Sequence, residues 1–215
     1  TPSDQSVIDA IRDAKARGLK VTLYPFIMMD IPADNQLPNP DDGNGQSVYP
    51  WRGRITCHPA IGVAGSPDRT AEAANQVGAF VNGTWGYRRF LNHCASLAVQ
   101  AGGVDAFLLG SELRGLTSIR ESRDAFPFVA HLCALAAEMR TRLGPDCRIS
   151  YGADWTEYFG YQAQDGTGDL YFSLDQLWAH SAIDAIGIDN YMPLADWRDD
   201  DLEGGNPDAF EGAYD

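Results

Sequence analysis

One unit, repeated four times, constrains this chain more than any other feature: an amphipathic helix, a glycine stop, then a short apolar strand whose last residues turn polar or aromatic. The first copy sets Val7, Ile8, Ile11 and Ala14 at helical spacing, with Ser3 as N-cap, Gly18 past the end, and a strand near 20–27. The second places Phe90, Cys94, Leu97, Ala98 and Ala101 on one face, stops at Gly102-Gly103, and leads to a strand at 105–110. The third runs through Phe128, Leu132, Leu135, Ala136 and Met139, stops at Gly144-Pro145, and continues as a strand at 148–153. The fourth has a shorter helix, about 173–180, before a strand at 184–189. Glycine suits the helix end because the residue there adopts a left-handed conformation that a Cβ disfavours.

Helices alternating with short, near-continuous apolar strands imply parallel pairing, with each crossover helix covering the sheet. An open doubly wound sheet would carry a glycine-rich phosphate loop after its first strand, and Tyr24-Pro25-Phe26-Ile27-Met28-Met29-Asp30 has no glycine. A (β/α)8 TIM barrel places its chemistry at the C-terminal ends of the strands, and here every strand ends in residues able to perform it. Such a barrel needs about 250 residues. With 215 residues and four clear strands, the expectation is one domain over 1–215 that is an incomplete segment of a barrel, with elements missing at both ends.

Residues 30–69 hold six of the twelve prolines and little helical period, so they read as a long strand-end loop, with room for a small hairpin, over the catalytic face. Within it, Asp41-Asp42-Gly43-Asn44-Gly45 has the wrong spacing for a calcium loop and reads as a turn. His58 either lines the cleft or is an ordinary loop histidine.

The net charge of −14 repels phosphate backbones and anionic lipid, which argues against nucleic-acid and membrane-surface roles. Residues 196–215 contain eight acids against Arg198, read as a solvated loop. The sequence contains neither a spanning apolar run nor a signal peptide at its start. Cys57, Cys94, Cys133 and Cys147 form no C-x-x-C pair, and Cys94 and Cys133, on apolar helix faces, are expected to be buried thiols. Motifs for zinc hydrolysis, a serine nucleophile elbow and a phosphate loop are absent, so no metal or cofactor is expected. The sequon Asn82-Gly83-Thr84 carries no weight by itself.

The chemistry-bearing segment is Ala106-Phe107-Leu108-Leu109-Gly110-Ser111-Glu112-Leu113-Arg114, an apolar run that delivers the Glu112 carboxylate at a rim. Glycosidic cleavage needs one carboxyl group to protonate the leaving oxygen and a second to attack or to activate water. A carboxyl group shielded by barrel walls and aromatic rings can take the first role. Aromatic side chains at strand ends are the expected sugar platforms: Trp155 and Tyr191 first, then Trp51 and Tyr24. Core packing is the competing role for each, and for Trp178. Trp85 and Tyr87 are expected between helix and loop. Asp30 would bind a sugar hydroxyl, position Glu112 or cap its loop, and Arg114 would pair with a rim carboxylate or cap the next helix.

Gly110-Ser111-Glu112-Leu113 resembles the Asn-Glu motif that ends strand four of clan A glycoside hydrolases, which implies that Glu112 is the acid/base. Ile149-Ser150-Tyr151-Gly152-Ala153-Asp154-Trp155 is similar to their strand five. Leu177-Trp178 and the run from Asp184 through Asp189-Asn190-Tyr191 to Leu194 are similar to their helix and strand six, whose tyrosine commonly contacts the nucleophile. The whole chain is more closely similar to the TIM-barrel-like, glycoside-hydrolase-like domain of gene transfer agent and phage-type tail proteins. Residues 24–30, 82–90 and 103–112 carry that likeness.

Ser111 stands where the motif has an asparagine that binds the sugar 2-hydroxyl, so sugar binding there would be weaker or differently arranged. The family nucleophile belongs after a seventh strand, beyond Asp215, with Asp154 and Asp189 as substitutes by position. The resemblance thus implies a retaining glycosidase acting on envelope polysaccharide or peptidoglycan glycan, in a particle tail or baseplate that meets the bacterial envelope. Its partners would be that polysaccharide and other tail proteins. The alternative is a glycan-binding or structural module whose chemistry has lapsed. Both readings expect Glu112 to face an open, sugar-sized hollow.

Overall fold

The computed structural model describes residues 3–37, 45–163 and 165–191. Helix α1 (Asp4–Ala16) opens with the predicted cap: Ser3 and Ser6 satisfy each other's backbone N–H groups in a capping box. Ile8 and Ile11 are its buried residues. Strand β1 is only Thr22–Leu23, shorter than the expected 20–27. Tyr24 to Ile27 continue without ladder pairing, in keeping with Pro25, which has no N–H to give.

Helix α2 (Ala71–Asn82) lies outside the repeated unit and buries Ala73, Val77 and Val81, spaced by four. Helix α3 (Tyr87–Gln100) buries Leu91, Ala95 and Ala98, and β2 (Ala106–Ser111) follows. A short helix α4 (Arg114–Thr117) leaves the strand end, then α5 (Pro127–Leu143) starts with proline in its first turn, where no N–H is needed. Strand β3 (Arg148–Asp154) runs into the one-turn helix α6 (Trp155–Tyr158). A small antiparallel hairpin, β4 (Tyr161–Gln162) with β5 (Leu170–Tyr171), precedes the one-turn helix α7 (Asp175–Trp178) and β6 (Gly187–Asp189).

The four strands β1, β2, β3 and β6 form one parallel sheet in that order. Phe107 and Leu109 of β2 and Ile149, Tyr151 and Ala153 of β3 are fully buried, as are Leu91, Phe128, Leu132 and Leu135 of the crossover helices. Those helices follow one another in contact, α1 on α3, α3 on α5 and α5 on α7. This is an arc of barrel wall, as the repeat implied. β6 begins at Gly187 rather than at 184: the Asp184 N–H donates to the Ile149 carbonyl at 2.9 Å, but the Ile149 N–H is taken by the Asp184 carboxylate, which also pairs with Arg140, and not by a backbone carbonyl.

The loop expected over 30–69 contains a 3-10 turn at Arg52–Arg54 and, among the described residues, no hairpin. Asn35 closes it across eleven residues by donating to the Gln46 carbonyl and accepting from the Gln46 N–H, each at 2.9 Å. The Asp41–Gly45 turn lies largely outside the described residues, as does the acidic 196–215 segment.

Candidate functional site

The strand β2 breaks register near its end, between Leu108 and Ser111. Gly110 takes φ +136°, and a Cβ there would fall 2.1 Å from the Tyr87 hydroxyl, so the kink requires glycine. Two residues on, Glu112 has φ +52°, a left-handed conformation that a residue with a Cβ adopts only when its surroundings impose it. Its N–H donates to the Gly152 carbonyl at 2.8 Å, and the next N–H, of Leu113, donates to the Tyr151 hydroxyl at 2.7 Å.

This turn presents the Glu112 carboxylate at the C-terminal end of the sheet. One oxygen accepts from the Trp51 indole N–H at 2.8 Å and from the Arg52 guanidinium at 2.9 Å; the other accepts from the Tyr191 hydroxyl at 3.1 Å. That contact raises the Tyr191 hydroxyl above its ordinary pKa, since ionising it would set a second negative charge beside the carboxylate. Arg52 binds more than Glu112. It donates to the Ser111 carbonyl at 2.9 Å, the Ser111 hydroxyl at 2.7 Å and the Tyr24 hydroxyl at 3.0 Å, and its guanidinium lies 4.0 Å above the Phe26 ring.

The Tyr24 and Ser111 hydroxyls are also bonded to each other. Burial pushes Tyr24 up to about 12, with Arg52 opposing the rise. Asp189, carried by β6, lies over Gly152 and hydrogen-bonds Ser111; partial burial, and the negative charges of Glu112 and Asp154, hold its carboxyl above the usual range.

Of the residues expected at the site, Glu112, Trp51, Tyr191, Tyr24, Ser111 and Asp189 come together here. Trp155 begins α6 directly after β3, with its ring 6.4 Å from Phe159, and is not among the groups bonded to Glu112. Asp30 is exposed and makes no hydrogen bond among the described residues, so it neither positions Glu112 nor caps its loop. The strand pairing that would have carried Asp30 to the rim ends at Leu23.

His58 is tied by its backbone to Gln76 of α2 and is no part of this cluster. Trp85 is 83% exposed, with Arg89 stacked on it, in place of the expected packing between helix and loop; Tyr87 is buried as expected. Trp178 packs against the core beside Tyr151. Cys94 and Cys133 are half-buried rather than buried, because their helix faces lie at the margin of the core; all four cysteines are free. Among the described residues no His, Cys, Asp and Glu cluster could hold a metal.

The expected open hollow is also corrected. Glu112 is 4% exposed because Trp51 and Tyr191 fold over it, although they are themselves 38% and 67% exposed. The carboxylate is thus one side-chain layer beneath the surface. A cavity of about 170 Å3 is lined by Phe26, Met28, Tyr49, Trp51 and Arg52, and Glu112 is not part of its wall.

Two residues central to the geometry were not foreseen. Arg52 follows the noted Trp51, and a cation in so acidic a chain could have drawn notice. Glu157, on α6, had no sequence signal beyond its place three residues after a capping Asp154. It is 8% exposed, and burial pushes its carboxyl up to about 7 against the hydrogen bonds from Thr117, Asp154 and Tyr151 that favour the ion.

Four adjacent parallel strands with outer helices, and a site at the strands' C-terminal ends, define a barrel-type α/β protein. The chain belongs to the GTA (gene transfer agent) TIM-barrel-like domain family, whose model matches residues 85–215. No curated protein matches the sequence closely enough to serve as a relative.

Proposed function

We propose that this domain supplies the acid/base half of a glycosidase site, acting on a bacterial envelope polysaccharide or peptidoglycan glycan as part of a particle tail or baseplate. The observation that carries this reading is the Glu112 carboxylate, held at a strand end in a left-handed turn by donors from the long loop and from the segment after β6. Glu112 would protonate the leaving oxygen and then deprotonate water, and a carboxylate from beyond residue 215 would be the nucleophile. In a retaining pair the two carboxyl groups stand roughly 5 to 5.5 Å apart. Substrate entry requires Trp51 or Tyr191 to swing aside, and both have solvent on their outer faces. Swung out, either ring becomes a stacking platform for a pyranose.

The test is Glu112→Gln in the full tail polypeptide, assayed by release of reducing ends from isolated envelope polysaccharide and peptidoglycan. Turnover should fall by about 100-fold or more with folding unchanged, the scale of a lost general acid. Hydrolysis at the parent rate would remove Glu112 from the mechanism.

A second reading, a glycan-binding or structural module without chemistry, is favoured by one feature. The Ser111 hydroxyl is occupied by Arg52, Tyr24 and Asp189, and both Glu112 oxygens are engaged. Binding to glycans on an array, with no release of reducing ends from any glycan bound, would support this reading over the first.

A further inference from the structure

The left-handed turn at Glu112 needs an external support, and the connectivity behind it shows where that support is. A buried backbone N–H must find an acceptor, and that of Leu113, which follows Glu112, finds the Tyr151 hydroxyl at 2.7 Å. Tyr151 is fully buried on β3. Having accepted from Leu113, its hydroxyl donates its own proton to Glu157, whose oxygens lie at 3.2 and 3.3 Å. Burial and the nearby Glu157 carboxyl hold Tyr151 well above its ordinary pKa, so it stays a phenol throughout.

Glu157 is the far anchor. It also accepts from the Thr117 hydroxyl at 2.6 Å and from the Asp154 N–H at 2.8 Å. One carboxyl group therefore ties together α4, which leaves the Glu112 turn, the end of β3, and α6. We propose that Glu157 is a positioning residue for Glu112, acting through the Tyr151 hydroxyl to hold the backbone at Leu113. This rests on Glu112 being the functional carboxylate, though the coupling itself is a property of the fold.

The coupling has a built-in variable, because burial sets the Glu157 carboxyl near neutrality. The groups facing it are the Asp154 carboxylate and Tyr151 phenol from β3 and the Thr117 hydroxyl from α4. Arg114 and Tyr161 join it in the wall of a cavity of about 350 Å3. As an ion, Glu157 takes the three donors just described. Once protonated it donates to Thr117, whose hydroxyl can turn to the Arg114 carbonyl 3.2 Å away. Tyr151 then loses its strong anionic acceptor, and its hold on Leu113 changes with it.

The experiment is a pH series of 1H–15N spectra of the chain, following the Leu113 amide and the Trp51 indole N–H that reports on Glu112. In the parent protein both resonances move with a midpoint near 7. Glu157→Gln abolishes that movement of Leu113, and Tyr151→Phe, which removes the acceptor outright, speeds Leu113 amide exchange by about fivefold, the scale of one lost hydrogen bond. A Leu113 titration that survives Glu157→Gln, or unaltered Leu113 exchange in folded Tyr151→Phe, overturns the proposal.

These readouts need no substrate. A coupled Leu113 titration in a chain that hydrolyses nothing would remove the enzymatic reading and leave the positioning relation standing. Where hydrolysis is present, Glu157→Gln should lower kcat, leave KM unchanged and displace the pH profile. A change confined to KM would count against positioning.

Discussion

Glu157 makes a quantitative demand on stability. Its carboxyl moves from an ordinary 4.5 to about 7 on folding, mainly through burial. In this interval the native state holds a proton that the unfolded chain has released, so stability falls as pH rises. The contribution is fully present below about 4.5 and is lost as pH passes through about 7. At about 1.4 kcal/mol per pH unit, the whole effect is about 3 kcal/mol, most of it between pH 5 and 8.

Glu157→Gln removes the proton equilibrium but keeps an acceptor for the Asp154 N–H and an N–H2 group that can donate to Thr117. Urea unfolding of both proteins, at half-unit steps from pH 5 to 8, isolates the term as the difference between their slopes. The parent should lose about 2 to 3 kcal/mol more than the variant over that range. Equal slopes would show that Glu157 has the same proton affinity folded and unfolded, and the argument from its burial would fail.

Two further outcomes follow from buried geometry. Arg120 is 2% exposed and shared between Asp68 at 2.7 Å and Asp165 at 3.1 Å, so Arg120→Met leaves Asp68 without its cation in a mostly buried site and should cost about 3 to 5 kcal/mol by denaturant unfolding. A cost below about 1 kcal/mol would show that water reaches the pair. Gly110→Ala drives a Cβ against the Tyr87 hydroxyl at a φ that alanine resists, and should destabilise the chain by about 2 kcal/mol or more, with the Trp51 indole resonance shifted as the Glu112 turn moves. A stable variant with that resonance in place would separate the β2 kink from the site.

Much of the architecture was legible because it depends on near neighbours. The Ser3 cap, the buried faces of α1, α3 and α5 and the apolar runs of β2 and β3 are periodicities within a dozen or so residues, and they alone imply a parallel sheet. The strands expected at 20–27 and 184–189 are shorter in the structure, at Thr22–Leu23 and Gly187–Asp189. Propensity marks extended backbone, but a ladder also needs a donor, which Pro25 lacks, and a free partner, which the Asp184 carboxylate replaces for Ile149. Asp30 and Trp155 are placed by strand-end position alone, and position along a strand does not say how far pairing extends or which neighbour a ring meets.

The sequence by itself determined that helices and strands would alternate, that the strands would pair in parallel, and that a carboxylate would stand at the end of β2. Only the tertiary structure decided what surrounds that carboxylate. Trp51, Arg52 and Tyr191 reach the Ser111–Glu112 end of β2 from 61, 59 and 79 positions away, and Tyr24 from 87. Contacts of that span are fixed by how loops close over a packed sheet, not by any local preference. The same holds for Glu157: its identity is written in the chain, but its affinity for a proton is set by the burial that β3, α4 and α6 impose on it together.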